Sequence, residues 1–171
     1  TTLRAVSGLL KPQSTVDAKK NYYSQLAWKK VEENPNHENP WFEWGISLMN
    51  INQWAEAQGA FARALVFRPD WHEAKLFRAR ALLNLERFAE AETLLRELLE
   101  TTYQFEDVIT HLSTALLYQG KFEEALKLFS ICEPLSIQHP HFHINAATLL
   151  FELKAWDQCR EHLEAAKRLS P

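Results

Sequence analysis

The chain has 171 residues, 46% hydrophobic and 24% charged, with a formal net charge of −3. That is enough apolar material for a sizeable core and too much for disorder over most of the length. The acidic balance lacks the basic footprint of a nucleic-acid binder, and four glycines with no GxGxxG or GxxxxGK[ST] leave little material for a phosphate loop.

In chain order, residues 1–13 carry a short apolar pattern (Leu3, Val6, Leu10), expected as a docked turn or a dimer contact. Ser14 and Asp17 form a capping box that opens a helix from about Thr15 to Glu33. Within it Tyr23 and Ala27, and Pro35 after it, stand 34 positions before Ala57, Phe61 and Pro69. Pro12 falls where a preceding partner helix would lie, so this helix is expected alone, covering the first full helix pair.

From residue 38 a 34-residue period takes over. The aromatic of "NQWAEA", Trp54, is followed at that interval by Phe88, Phe122 and Trp156. Three positions later stand Ala57, Ala91, Ala125 and Cys159; four further on stand Phe61, Leu95, Phe129 and Leu163. Upstream, Gly45, Ala79, Ser113 and Ala147 recur, each with a leucine three later (Leu48, Leu82, Leu116, Leu150). Within each unit the spacing is i, i+3, i+4, i+7, the signature of an amphipathic helix. The pattern breaks near Asn52, Glu86, Gly120 and Lys154, which predicts pairs of short antiparallel helices joined at those residues. Pro134 predicts an early end to the second helix of the third pair.

"WFEWGISLMNINQWAEAQGAFARALVFRP" resembles the tetratricopeptide repeat (TPR) family at Trp41, Trp44, Gly45, Leu48, Trp54, Ala57, Phe61, Ala64 and Pro69. The second unit departs from the pattern with Lys75, Arg78 and Tyr103. The resemblance implies an all-α, right-handed solenoid of antiparallel helix pairs. It places an N-terminal capping region at 1–37 and four units at approximately 38–71, 72–105, 106–139 and 140–171. The unit that ends the sequence lacks a polar capping helix, so self-association or contact with further chain is expected at that end.

In this family the first helix of each unit lines the concave face. The resemblance therefore implies a partner-binding groove of Asn39, Phe42, Glu43, Ile46 and Asn50, then Glu73, Leu76, Phe77, Arg80 and Asn84. The third unit adds Asp107, Thr110, His111, Thr114 and Tyr118, and the fourth His141, Ile144, Asn145, Thr148 and Glu152. Leu83, Leu117 and Phe151 fall on the same helices, expected half-buried between units. The charges are mostly acidic, against Arg80. The expected partner is a protein or peptide segment with apolar anchors, and the expected role a non-catalytic binding scaffold or adaptor. The positions that hold chaperone-tail carboxylates in some family members lack paired cations here, which excludes that role. The last unit also resembles TPR chaperones of type III secretion, and a targeting arm of a larger enzyme is a further alternative.

No HExxH, GxSxG or deaminase signature is present, so no catalytic residues and no cofactor are expected. Trp41, Trp44, Trp54 and Trp156 fall on repeat core positions and are expected to be packed rather than to stack on bases; Trp28 and Trp71 lie outside that register. Cys132 and Cys159, with no CxxC spacing, are expected as buried reduced thiols, which favours a cytoplasmic setting. No apolar run approaches the ~18 residues that cross a bilayer, so membrane insertion is not expected. In "HPHFH" the helical register sends His139 to the loop, His141 to the groove and His143 to the packed side. The three diverge, so no metal is expected there, and His141 is a candidate for pH-sensitive partner contact.

Overall fold

The computed structural model describes residues 15–101, 105–132 and 138–170. Among them the secondary structure is nine α-helices and no strand. The chain divides into two compact units, residues 1–69 and 70–171. The capping box, residues 1–13, Tyr103, Pro134 and the side chain of Cys132 lie outside the described residues.

The first unit holds α1 (Thr15–Glu33), α2 (Glu38–Asn50) and α3 (Trp54–Phe67). Helix α1 spans the predicted residues, with Ala27 and Val31 buried. His37 caps α2, its Nδ1 accepting from the Asn39 amide. Gly45 is where α2 meets α3: a Cβ there would lie 2.6 Å from the fully buried Phe61 ring, so only glycine admits this approach. Trp28 of α1 lies 4.5 Å, ring to ring, from Trp44 and 6.1 Å from Trp41. Trp28, outside the repeat register, thereby joins the first unit's aromatic cluster, while the Trp41 indole donates to the Pro35 carbonyl at 2.8 Å.

The second unit holds α4 (His72–Asn84), α5 (Phe88–Thr101), α6 (Phe105–Tyr118), α7 (Phe122–Cys132), α8 (Pro140–Glu152) and α9 (Trp156–Leu169). Its core runs from Leu76, Leu82, Leu95 and Leu98 through Ile109, Leu112 and Leu116 to Phe129, Phe142 and Leu149. Each such side chain, buried whole, contributes about 1.5–3 kcal/mol of hydrophobic stabilisation. Helix α7 is described over Phe122–Cys132, and the early end expected at Pro134 falls outside the described residues. Cys159 is buried and its thiol donates to the Ala147 carbonyl at 3.3 Å.

The predicted breaks are the turns. Asn52, Glu86, Gly120 and Lys154 have φ of 60°, 58°, 71° and 58°. The residue after each donates its amide back across the turn: Gln53 to Leu48, Arg87 to Leu82, Lys121 to Leu116 and Ala155 to Leu150, all at 2.9 Å. This is the left-handed Schellman ending of a helix, in which two otherwise orphaned carbonyls gain donors. Only Gly120 adopts that backbone without a Cβ penalty.

One expectation of packing fails: Trp156, on α9, is 53% exposed, and Leu163 on the same helix is 51% exposed. They match core positions of the other pairs, but among the described residues no helix follows α9 to cover that side. Trp156 packs edge-on against Phe151, itself exposed, at 5.2 Å.

Candidate partner-binding clefts

The predicted groove residues gather in two clefts, one within each unit. In the second unit a cleft of about 600 Å³ is lined by Arg80, Asn84, Thr110, His111, Thr114, Tyr118, His141, Ile144 and Asn145, together with Leu83, Glu86 and Phe88. Nine of these twelve were expected in the groove. They come from α4, α6 and α8, the first helices of three successive pairs. One helical face repeats at 34-residue intervals, which superposes Phe77, His111 and Asn145, or Asn84, Tyr118 and Glu152.

Asn145 ties α8 to α6. Its side-chain amide donates to the Thr110 carbonyl at 3.1 Å, to Ser113 Oγ at 3.0 Å and to Thr114 Oγ1 at 2.8 Å. Thr110 Oγ1, buried beside it, has no hydrogen-bond partner among the described residues. Tyr118 is 71% exposed and stacks flat on Phe88 at 4.9 Å with 5° between the rings, an aromatic shelf at one end of the cleft. The Arg80 guanidinium lies 5.0 Å over the Phe77 ring. His111 is held neutral: burial, then the positive Arg80, lowers its pKa from 6.5 to about 4.

In the first unit a cleft of about 420 Å³ is lined by Phe42, Glu43, Ile46 and Asn50, with Tyr23, Leu26, Ala27, Lys30 and Ser47. The α1 residues among these were absent from the sequence-based set, which drew on first helices alone. Lys30 pairs with Glu43 at 2.6 Å, so one acidic groove member is neutralised within the chain.

Other expected members lie apart. Leu76 is buried in the core and lines neither cleft. Asn39 is exposed at the start of α2; Glu73 accepts from the Trp71 indole at 2.6 Å. Asp107 sits 3.4 Å from His139 Nε2, Thr148 donates to the Ile144 carbonyl, and Glu152 is exposed at the end of α8. Leu83 and Leu117 are half-buried as expected, whereas Phe151 is 58% exposed. The second unit's cleft is therefore less acidic than the full set suggested: Arg80, His111 and His141 line it, and Glu86 is its one acid.

Comparison with known proteins agrees with the repeat. A tetratricopeptide repeat profile matches residues 42–104, and a profile for subunit 3 of the anaphase-promoting complex, or cyclosome, matches residues 84–166. These two matches, with the TPR structures below, support a tetratricopeptide repeat protein. No curated protein sequence matches it. Among solved structures it is similar to MamA residues 41-end from Desulfovibrio magneticus RS-1, with TM-score 0.73, 16% identity, 90% of this chain and 94% of that one covered. YrrB, described as a TPR protein with an unusual peptide-binding site, matches with TM-score 0.71, 18% identity and coverage of 90% and 79%. A chain of the APC/C hetero-tetramer Cut9-Hcn1 matches with TM-score 0.78 and 16% identity over 88% of this chain and 29% of that one. At these identities the likeness is one of fold, an all-α helical-repeat solenoid. TPR solenoids serve generally as protein-interaction scaffolds.

Proposed function

We propose that the chain is a non-catalytic scaffold, built as an N-terminal helix followed by four TPR units, that holds a protein or peptide segment in the cleft of α4, α6 and α8. The observation that carries this reading is the cleft itself: three successive first helices present nine expected groove residues to one concavity of about 600 Å³. Exposed Tyr118 and Ile144 offer apolar contact, while Arg80, Asn84, Thr114 and Asn145 offer hydrogen bonds that fix an extended backbone or a helix. The peptide site ascribed to YrrB is consistent with such use of the fold.

Selection from a displayed peptide library tests it. Enriched sequences carry apolar anchors, and their affinity falls at least about tenfold in Ile144→Glu and Tyr118→Ala, the range of a lost interface anchor. A library that yields no binder, or binders indifferent to both substitutions, refutes the cleft.

Self-association through the outer side of α9 has its own support in the exposure of Phe151, Leu153, Trp156 and Leu163, all between 48% and 58%. Sedimentation showing a monomer at every concentration refutes it, and Trp156→Lys lowers the association constant if it holds.

A further inference from the structure

His143 parts from His139 and His141, whose rings stay together with centroids 5.8 Å apart, contrary to the divergence of all three that the register predicts. His139 precedes α8 and His141 lines the cleft, while His143 turns to the opposite side, where α9 packs. There it meets a histidine 19 residues further along. His143 Nδ1 lies 3.0 Å from His162 Nδ1, with ring centroids 5.2 Å apart and 40° between the planes.

Two neutral imidazoles at that distance share a single proton, one nitrogen donating and the other accepting. A metal ion satisfies both lone pairs at once. Two nitrogens each about 2.0–2.1 Å from one ion lie roughly 2.8–3.4 Å apart, from cis square-planar to tetrahedral geometry. The observed separation falls inside that window. The rings come from two packed antiparallel helices, and Phe142 sets its ring at 86° to His143, 5.5 Å away, so both nitrogens are held by the fold rather than by a loop. His162 also lines a cavity of about 210 Å³ whose polar members are Ser130, Gln158 and Glu161 in a mainly apolar wall.

We propose that His143 and His162 form a two-imidazole site for a divalent first-row transition ion, with Cu(II) preferred over Ni(II) and Zn(II) by the usual stability order. Among the described residues no group of three His, Cys, Asp or Glu converges on a metal position, so solvent fills the other sites. Such a centre binds through two protein ligands and leaves open positions, unlike a closed structural zinc site. It lies on the side of α8 away from the cleft and is independent of the scaffold reading.

Calorimetric titration of the whole chain with Cu(II) at about pH 7.4, read beside electron paramagnetic resonance, tests the site. The expected result is one ion per chain with hyperfine structure from two equivalent nitrogens. His143→Gln and His162→Gln each weaken binding about tenfold or more, while His141→Gln leaves it unchanged. In the unsubstituted chain, substoichiometric Cu(II) broadens the ring protons of His143 and His162 before those of any other histidine, a readout that needs no variant to fold. Broadening that begins at His139 or His141, binding unaltered in the His143/His162 double variant, or no saturable binding at all overturns the proposal and leaves a shared-proton hydrogen bond.

Discussion

Glu92→Gln probes the polar knot that fastens α5 to the start of α7. Glu92 is 8% exposed, yet its carboxylate accepts from Arg96 Nε at 2.8 Å and from Gln119 Nε2 and Lys121 Nζ, both at 2.7 Å. Arg96 continues to Glu124. Burial alone would raise the Glu92 pKa; the donors from Lys121, Arg96 and Gln119 overcome it and hold the carboxyl at about 2. Against the ordinary 4.5 that corresponds to roughly 3 kcal/mol. Arg96 and Lys121 are 47% and 39% exposed, so solvent screening reduces the figure to about 2 kcal/mol. Glutamine keeps the shape but turns an amide toward donors. Urea unfolding followed by circular dichroism should show the variant less stable by about 2 kcal/mol at pH 7. The sign with pH follows from the lowered pKa. The carboxylate contributes fully above about 4.5, and its contribution is lost as the pH falls toward 2. The gap between wild type and variant therefore closes across that interval. A gap below about 0.5 kcal/mol at pH 7, or one that stays constant down to pH 2, refutes the reasoning.

The turns give a paired test: Gly120→Ala, at φ 71°, costs about 1 kcal/mol, whereas Lys154→Gly, at φ 58°, gains up to about 1 kcal/mol, both read from urea midpoints. Gly45→Ala forces a methyl to within 2.6 Å of the Phe61 ring and destabilises by about 1–3 kcal/mol, measured by thermal unfolding. His111 imposes acid sensitivity. The unfolded chain takes up a proton near pH 6.5 that the folded chain refuses until about 4, so stability falls across that range by up to about 3 kcal/mol. His111→Gln flattens the pH profile there, and an unchanged slope removes the assignment.

What the sequence made legible was whatever the 34-residue period records. Asn52, Glu86, Gly120 and Lys154 could be read as breaks because apolar spacing fails at the same phase four times, and those residues are where φ turns positive. Gly45 and Ala79 were legible because close helix contact demands small residues at fixed phase. The clefts were legible in part, since a helical face is periodic, but periodicity does not say how deep a face sits. Leu76 shares a phase with Ile144 and Thr110; Leu76 and Thr110 are buried while Ile144 is 43% exposed. Trp156 and Leu163 share the core phase, but among the described residues no helix beyond α9 covers them. The Glu92 knot and the His143–His162 pair left no periodic signal, because each joins positions on different elements that no repeat relates.

The four Schellman turns bear on how such a chain can change length. Each closes on carbonyls of the helix it ends, within six residues, and borrows nothing from more distant elements. Any stretch cut from one turn to the next thus begins and finishes on equivalent chemistry. A genetic duplication or deletion in that frame would produce joints like those already present. The joints are tolerant of identity too, since asparagine, glutamate, glycine and lysine all occupy the bend. Growth by whole cassettes is in this sense built into the local hydrogen bonding, and a partner surface could be extended without redesigning a single helix end.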